Sequence, residues 1–510
     1  MKSLKFTTAQ TAFLMAVFTM GSKVIGFVRE MVLANYYGAG VITDAYVMAQ
    51  SIPNMLFASL FSAVATSYMP TFSKKYELEG EQEANVFTSR VLNILLIIST
   101  LSALLGFVCP EPMVRFFAPN FSADQAALTV VYMRTTMCIL LFNSVIVLME
   151  AFLQYKGIFL PQIILGYTQS TSIIIFIIIS AYTSHYYLAF GVLVGYIIRS
   201  VCTLILAKKN QFHYSPDFHL TEVTKTIVAL ALPIFIGGSV SQINAFVDKT
   251  LASGLAEGTV AALNYANLIT GMIQMLTATI LVTLIYPKLT QAHALEDYDR
   301  VNNIMGLGTS LVFIITAPCT LGAMVYSTPV IQAVYERGAF DASASALTAP
   351  AFFGYAVGIL FHSMNLLLSK LYYSMGNTKT PVVYGIISAC VNITLNLILV
   401  GPLKQGGLAL ATSIAAGVNT IQLYLGLRKR YPQIHLLRSK RKMVKILGAT
   451  VVAVAVSRLA YRALLGISVI SSLISLGLAV CVAGVVYLVL LIVCKIEEVS
   501  LIKDLFHRSN

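Results

Sequence analysis

Charge is what this chain has least of. Only 11% of its 510 residues are Asp, Glu, Lys or Arg, where a soluble domain carries about a quarter. Most side chains must therefore face lipid or protein, which excludes a water-soluble enzyme. The seven cysteines (Cys109, Cys138, Cys202, Cys319, Cys390, Cys481 and Cys494) stand singly, with no C-x-x-C or metal spacing, and this argues against a disulfide frame or a zinc site. Also missing are a phosphate-binding glycine loop, a nucleophile elbow and paired catalytic carboxylates, and the seven histidines show no ligand spacing. Without an ATP signature, an ion gradient or the membrane potential is the default energy source.

What fills the space is apolar: 57% hydrophobic residues and a mean hydropathy of +0.81. Apolar runs fall at 8–36, 42–72, 86–109, 125–154, 160–183, 186–207, 223–252, 258–287, 302–326, 344–373, 380–400, 406–428, 442–463 and 467–494. Each is near or beyond the ~20 residues a helix needs to span a bilayer, and helices satisfy their own backbone there. Lys2 and Lys5 precede the first run as in a signal peptide, but Lys23, Arg29 and Glu30 follow without a small-residue cleavage site, so it reads as an uncleaved helix. The expectation is an all-α polytopic membrane protein of about fourteen transmembrane helices.

With both termini in the cytoplasm, the cytoplasmic loops carry Lys74, Lys75, Lys156, Lys208, Lys209, Lys288, Arg300, Lys379, the basic 428–445 stretch, and Lys495, Lys503 and Arg508. The opposite loops hold little beyond Arg115, Arg337, Lys404, Arg458 and Arg462. That asymmetry follows the positive-inside rule and accounts for the net charge of +13 without a nucleic-acid partner. The 428–445 stretch is also suited to touching anionic membrane lipids.

An internal repeat runs through the chain. Phe27-Val28-Arg29-Glu30, Leu33-Ala34 and Gly40 match Phe246-Val247-Asp248-Lys249, Leu251-Ala252 and Gly258 in order. Pro70 and Pro112 are spaced as Pro287 and Pro329 are, and an Ala-Leu-Thr follows each pair (127–129 and 346–348) before Pro161 or Pro381. The expected organisation is an N-terminal lobe over 1–210 and a second over 220–430, related by pseudo-two-fold symmetry, with two extra helices and a tail over 440–510.

Polar residues inside the runs mark the interior, because they are costly at bilayer depth. Lys23 and Glu30 share a helical face, Arg29 lies on another, and Asp44 and Ser51 extend the polarity to the second run. Asn143, Glu150 and Gln154 repeat at seven and four, Ser241, Asn244 and Asp248 at three and four, with Lys249 next, and Asn264, Asn267 and Gln274 line one side. Such stripes imply a hydrophilic cavity, although interhelical hydrogen bonding explains the Asn, Gln and Ser positions equally well. Neighbouring helical residues point about 100° apart, so Arg29 and Glu30 are expected to find separate partners. Asn392 and Asn396, one turn apart, with Thr412 and Asp248 offer hard oxygens and one formal negative charge, a set suited to sodium, or equally to hydrogen bonding between helices. No other cofactor is indicated, and His362 reads as a cavity or packing residue and not a ligand.

Several runs resemble the MurJ/MviN lipid II flippase family: Gly21-Ser22-Lys23-Val24-Ile25-Gly26-Phe27-Val28-Arg29-Glu30, Tyr37-Gly38-Ala39-Gly40, Thr43-Asp44-Ala45-Tyr46 and Ile52-Pro53-Asn54. Asp248 with Leu251-Ala252-Ser253, Asn264-Tyr265-Ala266-Asn267, Lys379-Thr380-Pro381 and Gly401-Pro402-Leu403 extend the likeness over nearly the whole chain. The resemblance implies a fourteen-helix transporter of the MOP exporter superfamily in the bacterial cytoplasmic membrane. It would carry an undecaprenyl-pyrophosphate-linked saccharide, the peptidoglycan precursor lipid II, from inner to outer leaflet in concert with cell-wall synthesis machinery. The residues expected to bind the head are Lys23, Arg29, Glu30, Asp44, Asn54, Lys249 and Asn267, with Asp248, Asn392, Asn396 and Thr412 as the sodium set. The chain departs from the family pattern where arginines are usual, at Phe57, Ala58 and Leu268, and has Gly271 where some members carry an acid. Those departures keep two rivals open: a flippase for another polyprenyl-linked glycan, and a cation-coupled exporter of small molecules.

Overall fold

The computed structural model describes residues 8–217, 222–436, 440–466 and 471–498. Lys2 and Lys5, used above for the signal-peptide reading, and Arg438, Lys503 and Arg508, used for orientation, lie outside them. The chain forms two compact units: Met1–Ala261 with Arg337–Asp341, and Ala262–Glu336 with Ala342–Asn510.

The first unit contains α1 (Thr8–Tyr37), α2 (Val41–Val108), α3 (Pro110–Phe117), α4 (Ala123–Met137), α5 (Ile139–Tyr155), α6 (Leu160–Tyr182), α7 (Tyr187–Lys209) and α8 (Glu222–Ala252). The second contains most of α9 (Thr259–Gln274), a π-helical turn (Met275–Thr279), α10 (Ile280–Ala294), α11 (Tyr298–Val325), α12 (Ser327–Tyr335), α13 (Ala342–Val357), α14 (Ile359–Ser374), α15 (Lys379–Arg430), α16 (Lys440–Leu465) and α17 (Ser472–Val493). Among the described residues, ten continuous stretches are long and apolar enough to cross a bilayer. Two of them, α2 and α15, break at Gly80 (φ 88°) and Lys404 (φ 49°) and hold two crossings each. With α1 and α8, 30 and 31 residues long, the crossings come to fourteen.

The units repeat an order of elements. Each has a short helix (α3, α12) before a crossing jointed in its middle, at Cys138 between α4 and α5 and at Gly358 between α13 and α14. Pro112 and Pro329, matched above by spacing, sit in those short helices. Side chains fix the starts: Ser122 and Gln125 form a reciprocal capping box at α4, and the Asp297 carboxylate accepts from Arg300 N–H at α11. The stretch 73–85, expected as a loop, is helical except at Gly80. An i,i+4 pair between Lys75 and Glu79 (2.5 Å) supports it, and Lys156 fastens Glu81 from outside (2.7 Å).

Cores are aromatic and aliphatic. Tyr68 stacks on Phe87 and meets Phe72, which meets Phe152 and Tyr155, in the first unit. In the second, Leu367, Leu371, Leu423 and Leu427 are fully buried together, and the Tyr372 hydroxyl donates to Leu423 O. The last two helices belong to this unit: Tyr487 of α17 donates to Ile314 O of α11, and Ser457 of α16 donates to Ala479 O. Past α17, Glu498 accepts from Lys442 at 2.7 Å. Burial alone would raise this carboxyl, but the lysine holds it below the usual glutamate range.

The segment after α7 is laced onto the second half of α2. Asn85 Nδ2 donates to Gln211 O, His213 N–H to Asn85 Oδ1, Ser215 N–H to Ser89 Oγ, and Asn93 Nδ2 to Asp217 O. Asn85, Ser89 and Asn93 are one turn apart, so a single polar stripe satisfies an extended backbone that has no ladder of its own. Arg90 closes the seam with a forked pair on Asp217 (2.6 and 2.9 Å). Removing either charge strands the other in a half-buried site. Arg90→Ala and Asp217→Ala should each lower the melting temperature of the purified protein, and the double variant should fall no further than the worse single one; additive losses would show that the two side chains are not coupled.

Candidate functional site

At the end of the first unit where α1 turns into α2, one carboxylate ties three chain segments together. Asp44 is 1% exposed. Its Oδ2 accepts from Gly258 N–H (2.7 Å) and Gln125 Nε2 (2.9 Å), and its Oδ1 accepts from Ala261 N–H (2.8 Å). Gly258 and Ala261 flank the start of α9, whose first N–H groups have no intrahelical partner and carry the positive end of the helix dipole. Asp44 therefore caps a helix more than two hundred residues away in sequence. Gln125 passes the link to the α4 capping box, and Ala339 N–H donates to Asn35 O (2.8 Å) beside it. Gly38 (φ 63°) and Gly338 (φ 57°) make that approach feasible: a Cβ on Gly38 would collide with Ala339 O, and one on Gly338 with Asn35 O.

Further along α1, Arg29 and Glu30 pair with each other through Nε (3.1 Å) and Nη2 (2.6 Å). The expectation of separate partners is thus corrected. A guanidinium on a long stem reaches around the 100° offset, and at low polarity a forked charged bond outweighs the awkward direction. Lys249 of α8 donates to the Ser51 hydroxyl of α2, with Asp248 and Glu30 within electrostatic reach. Lys23 is exposed on α1 and makes no ion pair among the described residues.

A cavity of about 630 Å³ opens in the same unit. Its walls carry Asn54, Ser62 and Thr66 from α2, Asn143, Glu150 and Gln154 from α5, and Tyr196 from α7, with Phe61 and Met69 between them. The α5 residues form the stripe read from their spacing of seven and four. Glu150 is held from behind by Arg199 of α7 (2.7 Å), which also donates to Gln169 of α6 (2.7 Å). Arg199 was not anticipated from sequence, although a single arginine within an apolar run is the signal to look for. Gln125, the partner of Asp44, carried no such signal.

In the second unit, Asn267 is exposed on α9. Asn396 Nδ2 donates to Asn392 Oδ1 (2.8 Å), and Asn392 Nδ2 donates to Thr412 Oγ1 (3.2 Å). Asn392 and Asn396 are buried, and the three side chains form one neutral, oxygen-rich chain. Asp248, grouped with them above, belongs to the first unit.

Fourteen crossings in two element-repeating units, with polar side chains turned inward, define a membrane transporter. A solved multidrug resistance MATE family transporter of the MOP superfamily shares the fold (TM-score 0.67, 12% identity, covering 81% of this chain and 98% of that one). A structure titled lipid II flippase MurJ, inward closed conformation, superposes with a TM-score of 0.83 at 23% identity, covering 94% of this chain and 98% of that one. A probable lipid II flippase MurJ of Rickettsia prowazekii is 27% identical over 427 residues, 82% of this chain and 83% of the relative. The family model described as lipid II flippase MurJ matches residues 33–478, and the chain belongs to that family.

Asp44→Asn tests the cap directly. The amide keeps one acceptor oxygen but turns an NH2 toward either Ala261 N–H or the pair from Gly258 and Gln125, where no acceptor waits. Amide hydrogen exchange over 256–262 should rise at least tenfold, about 1.4 kcal/mol. Unchanged protection there would mean that the carboxylate does not hold the α9 terminus.

Proposed function

We propose that this protein flips lipid II, an undecaprenyl-pyrophosphate-linked saccharide, from the cytoplasmic to the outer leaflet of the bacterial cytoplasmic membrane. Both termini are cytoplasmic in this reading, and the product is handed to cell-wall synthesis enzymes outside. The observation that carries the reading is the polar cavity of the first unit, in a chain that belongs to the lipid II flippase MurJ family.

The chemistry of the side chains supports the roles. A sugar–pyrophosphate head needs cations for the phosphates and amide or hydroxyl groups for the saccharide. Arg29 matches phosphate geometry bidentately once it exchanges Glu30 for substrate. Lys249 supplies a second, compact charge from α8, with Lys23 nearer the start of α1. Asn54, Asn143, Gln154 and Tyr196 present neutral donors and acceptors to sugar hydroxyls, and Asn267 extends that set from α9. The polyprenyl tail stays in lipid, so apolar chain is not dragged through water.

Alternating access is a rocking of the lobes 1–210 and 220–430, with 440–510 appended. Each elementary charge crossing 100 mV is worth about 2.3 kcal/mol, comparable to a charge-assisted hydrogen bond of about 1.5–3 kcal/mol. Asn392, Asn396 and Thr412 have the donor chemistry to hold sodium, which would add a gradient as a source of coupling.

Complementation decides it. Wild-type protein should sustain growth of a strain depleted of its lipid II flippase, Arg29→Ala and Lys249→Ala should not, and all three should reach the membrane in equal amounts. Failure of the wild type, with rescue of an exopolysaccharide flippase mutant instead, would assign a different lipid-linked glycan.

A further inference from the structure

The proline that opens the next crossing, Pro161 or Pro381, aligns the two units residue by residue. Eleven positions before it stands Glu150 in one and Lys370 in the other; thirty-eight after it stand Arg199 and Asn419. In the first unit these positions form an ion pair. In the second there is none: Asn419 Oδ1 is buried without a hydrogen-bond partner, and Lys370 makes no ion pair among the described residues. Its ammonium lies instead over the Tyr286 ring of α10 (4.9 Å) and the Tyr373 ring of α14 (5.9 Å).

Aromatic faces place a cation without neutralising it. Neither tyrosine hydroxyl has a hydrogen-bond partner among the described residues, so the cluster offers an ammonium and two free hydroxyls, with no carboxylate to neutralise the charge. Arg458 offers the useful contrast. It also sits over two rings, Tyr326 and Tyr461 (5.7 and 5.5 Å), but the Tyr326 hydroxyl is already bonded to Ser457 (2.7 Å), as expected of closed packing. Lys370 lies four residues before the end of α14, about 6 Å inside it, at the membrane side where chain parity also puts Arg428, Lys429 and Arg430.

We propose that Lys370, Tyr286 and Tyr373 form a second anion site, which captures the pyrophosphate of the polyprenyl-linked substrate near the end of α14. The site rests on the proposed function for the identity of its ligand, and on the ammonium seated over two rings without a carboxylate for its existence. The ammonium takes the charge of the diphosphate, and the two hydroxyls donate to its remaining oxygens. Because the lysine has no internal carboxylate to shed, the site can load a head group without the exchange that Arg29 requires.

The test uses the full chain in nanodiscs of zwitterionic lipid, titrated with a farnesyl-pyrophosphate-linked disaccharide. Lys370→Gln should weaken binding about tenfold or more, Lys370→Arg should stay within about threefold, and the Tyr286→Phe/Tyr373→Phe double variant should fall between. Inorganic pyrophosphate should compete in the wild type and lose that effect in Lys370→Gln. Equal binding by wild type and a Lys370→Gln protein of unchanged melting temperature overturns the site. If that variant does not fold, the double phenylalanine variant decides, and wild-type affinity there overturns it. Competition by added anionic phospholipid but not by pyrophosphate would assign the cluster to bilayer head groups and also overturn the proposal. A wild type that ignores the probe altogether would instead sink the proposed function.

Discussion

A polar group inside a bilayer has no water to fall back on, and this constraint organises the molecule. Within the membrane the cost of an unpaired charge or N–H exceeds that of almost any local distortion. The Arg29 side chain therefore bends around its own helix to reach Glu30, and Arg199 spans two neighbouring helices to reach both Glu150 and Gln169. The same demand explains why the segment after α7 lies along Asn85, Ser89 and Asn93: a strip of extended backbone near a membrane surface needs side chains to stand in for a ladder.

Asp44 is the case where pairing joins distant parts of the chain. A carboxylate on a helix N-terminus combines charge-assisted hydrogen bonds with the helix dipole, yet every one of its three partners is a donor that water could satisfy once the site opened. Bonds of this kind are thus strong when dry and weaken when wetted.

Much of the fold was legible because apolar runs of bilayer length have few alternatives, and the stripe of Asn143, Glu150 and Gln154 was legible because helical periodicity survives in sequence. The breaks were harder. Gly80 and Lys404 interrupt helices, while the charged stretch around Lys75 and Glu79 continues one; composition alone ranks these the other way. The role of Asp44 could not be read at all, because its partners include backbone N–H groups at 258 and 261, which leave no trace in residue identity. Arg199 was legible in principle, as a lone charge among apolar neighbours, and Lys370 was equally so. Their partners were not, because the pairing depends on which helix faces which.

Those two residues show how one repeated scaffold yields two kinds of charge. A cation already matched to a carboxylate binds an incoming phosphate only by exchange, and losing an internal charged hydrogen bond of about 1.5–3 kcal/mol lowers affinity roughly 10- to 150-fold. A cation resting on aromatic rings has no such debit. In the proposed transport cycle, a cation of the first kind would release its cargo more readily and one of the second kind would capture it more tightly. At matching positions Glu150 and Arg199 pair with each other, whereas Lys370 rests on aromatic rings and Asn419 leaves its Oδ1 unbonded.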